Sequence, residues 1–204
     1  MTKHISTFIL FFAISFISFA NGDEGYDVGS KAIDFKLKNV DGKMISLADY
    51  DDAKGFIVIF TCNHCPYAQL YEDRIIALDK KYASKGYPVI AINPNDPKKA
   101  PDDSFDQMIV RAKDKGFTFP YLYDDTQEVA KAYGATRTPH VYILDKASDE
   151  LEVKYIGAID NNYKTPSEVT EKYVEDAVDA LIEGKKVPND YTKAIGCTIK
   201  WSEA

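Results

Sequence analysis

Apolar and polar positions along this chain fall into two rhythms, one of period two and one of helical spacing. Phe35-Lys36-Leu37-Lys38 alternates, Asp41-Gly42 offers hairpin turn chemistry, and Met44-Ile45-Ser46-Leu47 reads as the returning strand. The stretch before it, from Asn21 to Ser30, reads as a loose Gly- and Asp-rich lead-in. Phe56-Ile57-Val58-Ile59-Phe60 is apolar without interruption, as in a strand covered on both faces, and Val89-Ile90-Ala91-Ile92 repeats that pattern. Between them Leu70, Ile75, Ile76, Leu78 and Tyr82 fall at helical spacing, opened by Pro66 and stopped by Gly86. An insertion-like loop at Pro94–Pro101 leads to a helix expected from about Ser104 to Lys115. Tyr121-Leu122-Tyr123 is strand-like, and Thr126 is placed to cap a short helix through Tyr133. Val141-Tyr142-Ile143-Leu144 and Leu151 to Ile156 read as two further strands joined by a polar turn. Thr165-Pro166-Ser167-Glu168 has the form of a capping box, so a helix carrying Tyr173, Val174, Ala177, Val178 and Leu181 is expected from there to Gly184. Strands alternating with helices predict an α/β fold, a central mixed sheet flanked by helices with an N-terminal hairpin.

The first twenty residues depart from both rhythms. Lys3 and His4 precede an apolar run to Phe19, and Ser18-Phe19-Ala20 is a small-x-small cleavage site. The expectation is a signal peptide over 1–20, cut after Ala20, and a single domain over 21–204. The protein is then exported, to the periplasm in a two-membrane cell, with no membrane span after cleavage. The 45% hydrophobic and 28% charged residues suit a globular domain. A formal net charge of -7 with no basic stripe excludes nucleic acid as an expected partner.

Export changes how the cysteines are read. Disulfide frameworks of exported domains have even counts at wide spacings, whereas Cys62 and Cys65 form one C-x-x-C and Cys197 stands apart. A buried strand running into C-x-x-C at a helix start is the geometry of working thiols. The positive end of the helix favours a thiolate on Cys62, the expected nucleophile, and Cys65 one turn on is the expected resolving thiol. His64, if protonated, adds positive charge beside Cys62 and makes the pair more oxidising; its bland alternative is a solvent-facing loop residue. Thr138-Pro139 either begins an edge strand or forms a cis peptide whose Thr138 backbone faces a bound peptide beside Cys62. No resident cofactor is expected; the expected partners are exported proteins bearing thiols or disulfides, with a redox donor or acceptor.

Several blocks together resemble the redoxin group of the thioredoxin superfamily. The nearest likeness is to its extracytoplasmic peroxiredoxin-like branch, related to alkyl hydroperoxide reductase and thiol-specific antioxidant proteins. The blocks are Asp34-Phe35-Lys36-Leu37 with Asp41-Gly42-Lys43, Cys62-Asn63-His64-Cys65-Pro66-Tyr67, Ala91-Ile92-Asn93-Pro94-Asn95, Tyr121-Leu122-Tyr123-Asp124, Thr138-Pro139-His140-Val141 and Ile195-Gly196-Cys197-Thr198-Ile199-Lys200-Trp201. The resemblance implies a thioredoxin-like fold, a redox pair at Cys62 and Cys65, and the superfamily's cis-proline at Pro139. The departures favour thiol–disulfide exchange over peroxidase activity. Peroxiredoxins carry a threonine three residues before the peroxidatic cysteine, where this chain has Ile59, and their helper arginine aligns near Pro139, two residues from Arg137. Phe56 stands where the buried proton-accepting aspartate of thioredoxins aligns, leaving the acceptor for Cys65 unidentified. Cys197 is expected to be an inert, small buried side chain. Its alternatives are a second resolving thiol or, with Cys62, Cys65 and His140, a ligand for copper(I) or zinc.

Overall fold

The uninterrupted apolar run at 56–60 becomes the middle of an eight-stranded sheet. A computed structural model describes residues 25–147 and 150–203; the expected signal peptide lies outside the described residues. The strands are β1 (Lys31–Ala32), β2 (Lys36–Asn39), β3 (Met44–Ser46), β4 (Gly55–Phe60), β5 (Val89–Asn93), β6 (Tyr121–Tyr123), β8 (His140–Ala147) and β9 (Glu150–Gly157). Two further short strands, β7 (Arg137–Thr138) and β10 (Cys197–Thr198), form a separate two-stranded ladder. The large sheet runs β1-β9-β8-β4-β5-β6-β2-β3. The β4–β5 and β5–β6 pairs are parallel and the others antiparallel. The hairpin expected at Asp41-Gly42 is β2–β3, with Gly42 at a φ of 86° that a side chain would strain.

Period-two geometry divides β4 between two cores. Phe56, Val58 and Phe60 enter one with Ile90, Ile92, Tyr133 and Tyr142; Ile57 and Ile59 enter the other with Val89, Ala91 and Tyr155. Helices α1 (Pro66–Tyr82), α2 (Phe105–Lys115) and α4 (Tyr173–Ile182) cover the second core through Ile75, Met108 and Val178, while α3 (Glu128–Tyr133) covers the first through Ala130 and Tyr133. Burying each large apolar side chain is worth about 1.5–3 kcal/mol, so a sheet covered on both faces makes β4 a rigid base for the loop that leaves it at Phe60. None of the described helices is long and apolar enough to cross a membrane.

Three local expectations need correction. The helix expected from Thr165 begins at Tyr173: Pro166–Glu168 is one 3-10 turn, and Thr165 makes no side-chain cap bond. Asn161 Oδ1 instead accepts the amides of Thr170 and Glu171, at 3.1 and 3.3 Å, which holds the intervening chain out of helix. Thr126 is not the principal cap of α3. Its hydroxyl lies 3.4 Å from the Glu128 amide, whereas the buried Asp124 carboxylate accepts the Ala130 amide at 2.8 Å. The lead-in, over its described residues, is tied down, for Gly29 N donates to Val153 O at 2.7 Å and Val153 N to Ser30 O at 2.9 Å.

Candidate functional site

The chain leaves β4 at Phe60, passes Thr61-Cys62-Asn63-His64 and enters α1 with Cys65 as N-cap and Pro66 in the first turn. Cys65, and not Cys62, therefore occupies the cap position; Cys62 lies three residues earlier. The loop is fixed by hydrogen bonds to three other segments. Asn63 Nδ2 donates to Asp102 O at 2.8 Å, Tyr121 Oη donates to Asn63 Oδ1 at 2.9 Å, and Gln69 Nε2 donates to Asn63 O at 2.7 Å.

The central finding at the site is Asp103, which no pattern in the sequence singles out. Its carboxylate is wholly buried and Oδ1 accepts the amides of Asn63 and His64, at 2.7 and 3.0 Å. Asn95 Nδ2 donates to Oδ2 at 2.7 Å, and His64 Nδ1 hydrogen-bonds the same oxygen. Cys62 Sγ also faces His64 Nδ1, at 3.8 Å. The imidazole is thus claimed by a carboxylate, so the expected positive influence of His64 on Cys62 is offset by a buried negative charge.

All three cysteines are free and gather in one place. Cys62 and Cys65 are buried and packed with Ala68; Cys197, partly exposed, packs against them with Tyr67. Cys197 is thus only partly buried where a buried side chain is expected, and it lies beside the pair. The two-stranded ladder brings it there, with Cys197 paired to Thr138 across β10 and β7. Gly196 makes the approach possible, since a Cβ there would stand 2.1 Å from Thr138 O. Arg137 donates a guanidinium hydrogen bond to Gly196 O at 3.0 Å.

Thr138 precedes Pro139 through a cis peptide bond and is fully buried. Its hydroxyl lies 3.2 Å from Cys62 Sγ, and its carbonyl accepts from the Cys65 thiol at 3.2 Å. Rather than standing free to offer backbone to a bound peptide, Thr138 is already in register with Cys197, and its side chain and carbonyl face the two thiols.

Cys62 and Cys65 titrate as a pair, and the first deprotonation belongs to both. The hydrogen bond with Cys65, burial and the Asp103 charge raise the Cys62 thiol, while the Thr138 hydroxyl and the Cys65 amide pull it down. Cys65 is held down to about 4 by the hydrogen bond with Cys62, against burial, with further help from the Cys197 thiol and amide. Cys197 is pushed up to about 11 by burial and by Cys65.

His140 does not join the thiols. It is buried, its Nδ1 accepts the Thr136 amide at 3.4 Å, and burial with Arg137 nearby holds it down to about 4. The alternative metal set of Cys62, Cys65, Cys197 and His140 is therefore not the group able to gather round a metal. Among the described residues that group is Cys62, His64 and Asp103, whose ligand atoms lie within 4.8 Å of one another.

Comparison with known proteins bears on the family and the fold. The thiol-disulfide oxidoreductase ResA of Geobacillus thermodenitrificans is 29% identical over 122 residues, 58% of this chain and 64% of that protein. The chain thus aligns with less than two thirds of that relative. An uncharacterized conserved protein from Geobacillus kaustophilus superposes with a TM-score of 0.80 at 39% identity, covering 87% of this chain and 94% of the other. A hypothetical protein from Sinorhizobium meliloti 1021 gives 0.81 at 34% identity, covering 89% and 98%. Residues 28–153, from before the first strand through the redox loop to β9, match the AhpC/TSA family, and the chain belongs to that family of thioredoxin-fold redoxins.

Proposed function

We propose that this chain is an exported thiol–disulfide oxidoreductase that acts as a reductant through Cys62 and Cys65. The Cys62 thiol is raised by its hydrogen bond with Cys65, then by burial, then by the buried Asp103 carboxylate. The first only moves a proton within the pair, so the observation that carries the direction is a buried site holding a fixed negative charge. Anything that disfavours the thiolate destabilises the reduced form of the pair and lowers its potential. His64 alone would argue the other way, but Asp103 holds its Nδ1.

In the reaction the Cys62 sulfur attacks a substrate disulfide, forming a mixed disulfide and releasing one substrate thiolate. Cys65 then attacks the Cys62 sulfur, the second substrate thiolate leaves, and a Cys62–Cys65 disulfide remains. Two electrons pass to the substrate, and a thiol donor must later restore the pair. The Thr138 hydroxyl steadies the Cys62 anion, and the Thr138 carbonyl lies 3.2 Å from Cys65 Sγ, fixing the resolving sulfur beside it.

The peroxidase alternative draws less support. Besides Cys65, the hydrogen-bonding side chains at Cys62 among the described residues are Thr138 and His64, and the guanidinium of Arg137 is engaged by Gly196 O. The ResA relative supports exchange chemistry by its name. Export rests on the leader-like first twenty residues.

The test is the reduction potential of the Cys62–Cys65 pair by equilibration against glutathione, with a disulfide-reduction assay of the same sample. A reversible two-electron couple near about -270 mV, as in thioredoxin, is expected; one near about -120 mV would mark an oxidant and overturn the direction. Absence of any reversible couple would overturn exchange altogether. Cys65→Ser should trap the mixed disulfide on Cys62.

A further inference from the structure

We propose that Cys197 is a third redox thiol that takes Cys65 as its disulfide partner, turning an oxidised Cys62–Cys65 pair into a Cys65–Cys197 disulfide with Cys62 set free. This rests on the exchange reading above and adds a step to it.

Three independent features build the arrangement. Cys197 is held by a ladder in register with Thr138, whose carbonyl is itself 3.2 Å from Cys65 Sγ, so backbone pairing delivers Cys197 to the Cys65 side of the site. Gly196 is the residue that permits this closeness, because any side chain there would strike Thr138 O. The segment beyond is anchored as well: Lys200 N donates to Asn95 Oδ1 at 2.8 Å, Ser202 N to Gln127 Oε1 at 2.8 Å, and Trp201 packs against the core under β4. Such fixing positions a side chain; a merely space-filling cysteine does not require it.

The chemistry balances without an outside reagent. The Cys197 thiolate attacks the Cys65 sulfur, the Cys62–Cys65 bond breaks, and the electron pair leaves on Cys62. Cys62 takes the proton that Cys197 sheds, so one disulfide replaces another. The benefit is access. Cys62 and Cys65 are 3% and 0% exposed, whereas Cys197 is partly exposed, so an incoming thiol donor reaches the sulfur of Cys197 more readily. Attack there expels Cys65, whose low-lying thiol makes a good leaving group.

The experiment maps disulfides in the oxidised protein. Wild type and Cys62→Ser are equilibrated in glutathione buffers, quenched in acid, alkylated and digested with trypsin. Cys62 and Cys65 share the peptide Gly55–Arg74, and Cys197 lies on Ala194–Lys200, so a Cys65–Cys197 bond links two peptides. In Cys62→Ser that linked pair should account for essentially all of the oxidised protein, with both thiols lost together. In wild type it should appear as a fraction with Cys62 alkylated. The inference is overturned if Cys62→Ser keeps both thiols alkylatable, or yields only glutathione adducts, under buffers that fully oxidise wild type. Should that variant fail to fold, the wild-type digest decides, presence of the linked pair supporting the inference and absence overturning it. A wild type that forms Cys62–Cys65 but never the linked pair defeats this inference alone. A wild type with no internal disulfide defeats the exchange reading beneath it.

Discussion

Asp103 Oδ2 and Cys62 Sγ converge on the same ring nitrogen of His64, Nδ1. An imidazole that served both through opposite nitrogens could relay a proton between them; one approached on a single nitrogen cannot. The carboxylate is the stronger acceptor, so the His64 hydrogen belongs to Asp103, and Cys62 feels the carboxylate's charge.

Replacing Asp103 by Asn keeps an acceptor for the Asn63 and His64 amides and removes the charge. Cys62 should become more acidic, the reduced pair more stable, and the reduction potential higher by about 30 mV or more, equivalent to about 1.4 kcal/mol. Equilibration with glutathione reads this directly. An unchanged or lower potential in Asp103→Asn would show that the carboxylate does not set the direction.

Thr138→Val removes the hydroxyl 3.2 Å from Cys62 Sγ while keeping the branched shape and the carbonyl. Loss of one hydrogen bond to the sulfur anion should cost about 1 kcal/mol. Alkylation of Cys62 by iodoacetamide at neutral pH should slow by about fivefold, with little change in thermal stability. A rate equal to wild type would remove Thr138 from the site.

His140 should limit stability in acid. Its folded value of about 4 lies below the ordinary 6.5, so between these pH values the unfolded chain binds a proton that the folded chain refuses. Stability is therefore complete above about pH 6.5, falls as pH drops towards 4, and has then lost about 3 kcal/mol from this group. His140→Phe should flatten that limb in urea titrations across the window. A parallel slope in both proteins would assign the acid loss elsewhere.

Gly196→Ala places a methyl group 2.1 Å from Thr138 O, a backbone atom with no easy retreat. The β7–β10 ladder should open, lowering the melting temperature and raising the reactivity of Cys197 towards maleimide. If Cys197 stays as slow to react as in wild type, the ladder is not what holds it.

Much of the fold is legible in the sequence because it is local. The apolar run at 56–60, the Asp41-Gly42 turn and the strand–C-x-x-C–helix junction each announce themselves within a few residues, and each stands where expected. Asp103 is not legible. It lies 39 residues from His64, in a run of acidic residues after Pro101 that reads as solvated surface until the fold buries it. Cys197 escapes for the same reason, since only the pairing of two two-residue strands brings it to Thr138. The late start of α4 has another cause: Thr165-Pro166-Ser167-Glu168 has the composition of a cap, but Asn161 takes the amides of Thr170 and Glu171 into a loop.

The side chain of Asn95 has two ends with opposite demands. Its amino end donates to Asp103 Oδ2 and its oxygen accepts the amide of Lys200, three residues beyond Cys197. The C-terminal segment therefore acts as a latch on the orientation of one amide. Lift the segment, and that oxygen loses its donor; turn the amide over, and it sets oxygen against a carboxylate. Whatever docks on or displaces residues 197–202 is thereby heard at the buried charge that tunes Cys62, although it touches neither sulfur of the pair.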